Sequence, residues 1–133
     1  METQPKVRTR GLNHVNLVVA DVGTSRRFYE DGLGFELDSE ANGITFLSTP
    51  GAGDVLALQA AGGELDLLSG RQRTPGEMGA IDHIGFAVDP ADLDRLVAAG
   101  EAAGGQVLMR LTTGAGAPVV FMHDPDGYVL QLG

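Results

Sequence analysis

Leu12–Asn13–His14–Val15–Asn16–Leu17–Val18–Val19 is met again 69 residues later as Ile81–Asp82–His83–Ile84–Gly85–Phe86–Ala87–Val88. The apolar positions coincide, and His14 falls on His83. Further along, Leu33–Gly34–Phe35 answers Ala103–Gly104–Gly105 after a one-residue slip, and Val55–Leu56–Ala57–Leu58 answers Val129–Leu130–Gln131–Leu132. A duplicated unit folds as two similar modules, so matched positions are expected near a pseudo-twofold axis. His14, Ala57, His83 and Gln131 are therefore expected to converge on one cavity. Two imidazoles and a carboxamide there point to a metal site or the remains of one.

Each copy opens with β-favouring residues and continues into a helix signal. Asp21 can cap a helix that carries Phe28 and Tyr29 and stops at Gly32 and Gly34. In the second copy Asp89 is the expected N-cap, with Pro90 at the first helical position and Leu93, Leu96, Val97 and Gly100 on one face. Three more strands complete each half: Phe35–Asp38, Ile44–Ser48 and Asp54–Gln59, then Gln106–Arg110, Pro118–His123 and Tyr128–Leu132. The expected architecture is α+β: two tandem β-α-β-β-β modules whose mixed sheets form an open, partly closed, barrel-like cavity. Residues 1–10 are read as a flexible N-terminal segment and 11–133 as one domain. Within it, module one spans 11–60, a mobile connector 61–79 and module two 80–133.

Residues two apart on a strand share a face. Leu12, His14, Asn16 and Val18 then face one way, and Val15, Leu17 and Val19 lie under the helices. By the same rule His83 and Gly85, Val129 and Gln131, and Val55, Ala57 and Gln59 take the open side. Polar residues fall consistently on that side, which makes it the candidate site.

Composition narrows the function classes. The 133 residues carry a formal charge of −9, which disfavours nucleic acid and anionic membranes as partners. Hydrophobic residues make up 43% of the chain, enough for a core. There is no cysteine, so thiol nucleophiles, disulfides and cysteine-bound zinc are excluded. Met1–Arg10 holds no apolar signal core, and no stretch approaches a membrane span, so a cytoplasmic protein is expected.

The motif His14–Val15–Asn16–Leu17–Val18–Val19–Ala20–Asp21, the segment Ser25–Arg26–Arg27–Phe28–Tyr29 with Leu33–Gly34–Phe35, Asp82–His83–Ile84–Gly85–Phe86–Ala87–Val88, and the closing Asp124–Pro125–Asp126–Gly127–Tyr128 together resemble the vicinal oxygen chelate superfamily. That superfamily includes glyoxalase I, extradiol dioxygenases, and fosfomycin- and bleomycin-resistance proteins. The resemblance implies a homodimer and a small-molecule substrate or ligand. It places metal ligands at His14, His83 and Gln131, with Ala57 at a fourth position, and Zn, Ni, Mn or Fe(II) as the cation. The family usually has glutamate at the position of Gln131, and glyoxalase-type members have another at Ala57. A neutral donor set binds a divalent cation less strongly than one with a carboxylate. Gln131 also cannot act as a general base. Glyoxalase I and extradiol activities are therefore disfavoured, unless Glu64, Asp66 or Glu77 supplies the acid–base group.

Two functions follow. One is a glyoxalase- or dioxygenase-like protein whose weak divalent site chelates an oxygen-rich substrate. The other is a metal-free protein of the bleomycin-resistance type that sequesters a drug or metabolite, although 5% aromatic residues offer little stacking surface. Asn16, Ala57 and Gln59 are expected to line the pocket. His123 is read as surface, Asp124–Gly127 as a β-turn, and Arg71, Arg73 and Arg110 as solvated loop cations able to meet an acidic ligand.

Overall fold

The computed structural model describes residues 5–63, 70 and 72–133. Module one contains β1 (Val15–Val19), helix α1 (Val22–Arg27) running into a π-helical turn (Phe28–Gly32), β2 (Glu36–Ala41), β3 (Ile44–Ser48) and β4 (Leu56–Ala60). Module two contains β5 (Ile84–Phe86), helix α2 (Leu93–Ala102), β6 (Gln106–Thr112), β7 (Pro118–His123) and β8 (Val129–Leu132). The sheet orders are β1-β4-β3-β2 and β5-β8-β7-β6, with the first pair of each parallel and the others antiparallel. The duplicated β-α-β-β-β order is thus present, in two open mixed sheets.

Local chemistry sets the helix ends. Asp21 accepts from the Thr24 amide at 3.0 Å and the Thr24 hydroxyl at 2.6 Å, fixing the start of α1. The second helix begins later than the Asp89–Pro90 signal indicated. Asp89 instead closes a tight turn, its carboxylate accepting from Ala91 N at 3.0 Å and its carbonyl from Asp92 N at 2.9 Å. Asp92 then becomes the N-cap.

Leu17, Val19, Leu56, Leu58 and Leu47 from one sheet and Val120, Met122, Leu130 and Leu132 from the other meet Phe28, Tyr29, Leu93 and Val97 in a single core. Each such fully buried side chain contributes about 1.5–3 kcal/mol of hydrophobic stabilisation. Tyr29, Phe35 and Phe86 continue it edge to face across the modules, at 5.8 and 5.7 Å. Where the π-turn crosses α2, a Cβ on Gly32 would lie 3.1 Å from the Gly100 Cα, so a pair of glycines sets that approach.

A polar junction also ties the modules. Asp124 is 3% exposed, yet both its carboxylate oxygens are hydrogen-bonded. One carboxylate oxygen takes the amides of Asp126, Gly127 and Tyr128 at 2.9, 3.0 and 3.0 Å, and the other takes the Tyr29 hydroxyl at 2.7 Å. Asp126 accepts from Ala20 N and the Ser25 hydroxyl, and Tyr128 donates to Val18 O at 2.6 Å. Burial raises the Asp124 carboxyl above its ordinary range, against the hydrogen bonds that lower it, and burial with the adjacent carboxylate pushes the Tyr29 hydroxyl well up. The Asp124–Gly127 turn is present as expected, and it is also the latch between the halves.

The described end of the connector packs on that turn. Gly76 has φ +86°, and a Cβ there would come within 2.1 Å of the Asp126 carbonyl oxygen. Nearby, Met78 S accepts from Val129 N at 3.5 Å and its carbonyl from Ile81 N at 3.0 Å. At Gly76–Met78 the connector packs against the closing turn and β8.

Two outcomes follow from these contacts. Tyr29→Phe leaves an Asp124 oxygen buried without its donor and should lower unfolding free energy by about 1–3 kcal/mol in urea titrations. Gly76→Ala cannot be accommodated in place, so amide exchange across residues 74–79 should accelerate while the strands stay protected.

Candidate functional site

β1 and β5 are the inner edges of the two sheets, and among the described residues no backbone hydrogen bond joins them. Two cavities lie along the slot between them. The larger, about 600 Å³, is lined by Val15, Asn16, Leu17 and Val18 on one side and Ile81, His83 and Ile84 on the other. The smaller, about 230 Å³, takes Leu12, Asn13, His14 and Val15 with Ile84, Gly85, Phe86 and Ala87. Moving forward along β1 therefore means moving backward along the second copy, so the two edges run antiparallel. Val15 and Ile84, which match at the 69-residue offset, line both cavities. The cavities are images of one another under the repeat, with the pseudo-twofold axis passing between Val15 and Ile84.

The two histidines have the same surroundings at side-chain level. His14 Nδ1 lies 2.8 Å from Asn13 Oδ1, and its ring meets Phe46 edge-on with centroids 6.1 Å apart. His83 Nδ1 lies 2.6 Å from Asp82 Oδ2, and its ring meets Phe121 edge-on at 5.1 Å. An Nδ1–H donated to the neighbouring oxygen leaves the Nε2 lone pair to serve as a ligand or acceptor. His14 opens on the smaller cavity and His83 on the larger. Asn13, Asp82, Phe46 and Phe121 were missed from sequence, although Asn13 and Asp82 sit at the same offset as the histidines.

The remaining expected residues fall on the open faces. Asn16 pairs with Ala57, and Phe46 pairs with Ala57 from the other side, so these three share a face that continues to Val18 and Gln59. Asn16 Nδ2 donates to Gln59 Oε1 at 2.9 Å, so the amide pair spans the β1–β4 seam. Ala57 is fully buried and Gln59 is 8% exposed, leaving Asn16 as the group of the three that reaches the larger cavity. Gln131 is half-buried between Gly85 and Phe121 in register. His123, read as surface, instead lies half-buried opposite Val129 on the same open face as Phe121 and Gln131.

The cavities differ in what covers them. Arg73, Thr74, Glu77, Met78 and Gly79 of the connector, with Tyr128, add a wall to the larger one. The main-chain groups of Val15 and Val19 turn to β4 through Val15 N–Val55 O and Ala61 N–Val19 O, which turns those of Asn16 toward the slot. The larger cavity thus combines apolar walls with a few polar groups: His83, Asn16, Arg73 and Glu77. Of the other acid and base candidates, Glu64, Asp66 and Arg71 lie outside the described residues, and Arg110 pairs with Asp94 at 3.3 Å away from this slot. Among the described residues no group of three His, Cys, Asp or Glu side chains is placed to hold a metal ion. No helix there is long and apolar enough to cross a membrane.

No curated protein sequence matches the chain. Solved structures do match in fold. A glyoxalase-related enzyme from Fulvimarina pelagi superposes with a TM-score of 0.76 at 24% identity, covering 93% of this chain and 87% of its own. A glyoxalase/bleomycin resistance protein/dioxygenase family enzyme from Burkholderia phytofirmans PsJN gives 0.74 at 21% identity, covering 90% and 94%. A mutant of the fosfomycin resistance protein FosX from Listeria monocytogenes, complexed with Mn(II) and 1S,2S-dihydroxypropylphosphonic acid, gives 0.72 at 17% identity, covering 94% and 90%. The model of one family matches residues 11–132. The chain therefore belongs to the Glyoxalase/Bleomycin resistance protein/Dioxygenase superfamily.

Proposed function

We propose that this chain binds a small organic molecule carrying oxygen functions in the larger cavity between β1 and β5. The observation that carries this is the shape and lining of the space. At about 600 Å³ it is walled by Val15, Leu17, Met78, Ile81 and Ile84, with His83 and Asn16 among its lining. Apolar walls supply affinity through burial, and a few placed polar groups supply orientation. His83, held at Nδ1 by Asp82, offers its Nε2 lone pair as an acceptor to a ligand hydroxyl.

A second reading, a weak divalent-metal site at His14, His83 and Gln131, is favoured by one specific feature. Both imidazoles meet a phenylalanine edge and are held by an Asx oxygen on Nδ1, the second of these being common among metal-binding histidines. The metal would polarise paired ligand oxygens as a Lewis acid. The fosfomycin-resistance relative is complexed with Mn(II), which makes Mn(II) a cation to test here. Against this reading stand the neutral donor set and the opening of His14 and His83 onto separate cavities.

Calorimetric titration with 1-naphthol, an apolar body with one hydroxyl, tests the first reading. The wild type should bind it, and Ile81→Trp, which places bulk at an exposed position on the cavity wall, should weaken it at least about fivefold with folding intact. Equal binding by the variant sinks the assignment. For the metal reading, Gln131→Glu adds an anionic oxygen beside two imidazoles and should tighten Mn(II) and Zn binding. Unchanged affinity in that variant means the three residues do not share a site.

A further inference from the structure

The larger cavity holds two opposite charges that do not neutralise each other. Arg73 and Glu77 both line it, four residues apart on the connector, and neither takes part in an ion pair among the described residues. Between them Thr74 O accepts from Glu77 N at 3.2 Å, and the Gly76 backbone is pressed on the Asp126 carbonyl, so the turn that carries them is fixed to the body of the protein. Facing them is the apolar wall of Val15, Leu17, Ile81 and Ile84. A ligand with one charged pole would satisfy one of these residues and oppose the other. A net anion would also meet the field of a chain with formal charge −9. A ligand with both poles meets neither penalty.

We infer that the larger cavity takes a zwitterion of the α-amino-acid class with an apolar side chain, its carboxylate at Arg73, its ammonium at Glu77 and its side chain on the β1–β5 wall. The inference rests on the reading of this cavity as the binding site and names the ligand class for it. Arg73 suits the carboxylate because its planar guanidinium offers two parallel donors. Glu77 supplies the acceptor for the ammonium, and the cavity volume leaves room for an aromatic or branched side chain.

Three matched probes test it: L-phenylalanine, N-acetyl-L-phenylalanine, which lacks the ammonium, and L-phenylalaninol, which lacks the carboxylate. Wild-type protein should bind phenylalanine about fivefold more tightly than either derivative, the size expected of partly exposed ion pairs. Arg73→Gln should erase the preference over phenylalaninol and keep that over the acetyl derivative, and Glu77→Gln should do the reverse. Both side chains are exposed, so neither variant threatens the fold. Equal binding of all three probes by wild type overturns the zwitterion and leaves the cavity as a binding site. Binding of 1-naphthol with none of the three has the same meaning. Failure of all four compounds removes the cavity reading together with the inference.

Discussion

Four donors converge on the Asp124 carboxylate, and they come from both modules. The amides of Asp126, Gly127 and Tyr128 belong to the turn, while the Tyr29 hydroxyl reaches over from the π-turn of module one. A buried carboxylate is tolerable only when its oxygens are saturated, so the turn and the helix must arrive together. Asp126 and Tyr128 then reach Ala20, Ser25 and Val18, tying the end of β1 to the same spot. Because β1 is fixed there, the slot between β1 and β5 has a definite width. Because the turn also presents the Asp126 carbonyl to Gly76, the connector has a definite seat. The cavity is a consequence of this junction.

Much of the scaffold could be read from the chain because its signals are local. Period-two alternation marked the strands, and the register puts Asn16, Ala57 and Gln59 on one shared face and Gln131 beside Gly85 and Phe121. The Asp21 cap was legible because the capping oxygen and the Thr24 amide lie within one turn. Asp89 misled for a related reason: its side chain is as good a turn-former as a cap, and Pro90 suits either use. His123 reads as surface because it ends its strand just before the Asp124 turn, outside the matched positions, yet pairing with Val129 places it half-buried on the face of Phe121.

The candidate site was harder to read, because a repeat establishes equivalence and not proximity. Residues related by a twofold meet only where they lie on the axis, and here that point falls between Val15 and Ile84. His14 and His83, each one residue before it, open on opposite sides of the slot. Phe46 and Phe121 carry no pattern that singles them out until the strands are paired, whereas Asn13 and Asp82 share the 69-residue offset of the histidines they precede. Arg73 reads from sequence as a solvated loop cation able to meet an acidic ligand, and Glu77 as a loop acid that could supply an acid–base group. What puts them on the cavity is a contact between two irregular segments distant in sequence, Gly76 against Asp126.

That contact also explains why two cavities related by a repeat differ in size. Two modules in one chain require a single connector, so the surroundings of equivalent positions cannot remain equivalent. The connector crosses beside His83 and not beside His14, adding Arg73 through Gly79 to one cavity alone. On the other side the corresponding space is closed by Phe35, Asp54 and Val55, with the Asp54 carboxylate occupied by Thr49 N at 2.7 Å. The matched positions diverge too: Asn16, whose side chain donates to Gln59, lines the larger cavity, and its counterpart Gly85 lines the smaller one without a side chain. The His83 side carries the connector's lining because the connector walls that side alone. A metal held equally by His14 and His83 would need the symmetric point, whereas an organic ligand gains most from the asymmetric one, and the charged and apolar groups of this chain are gathered at the latter.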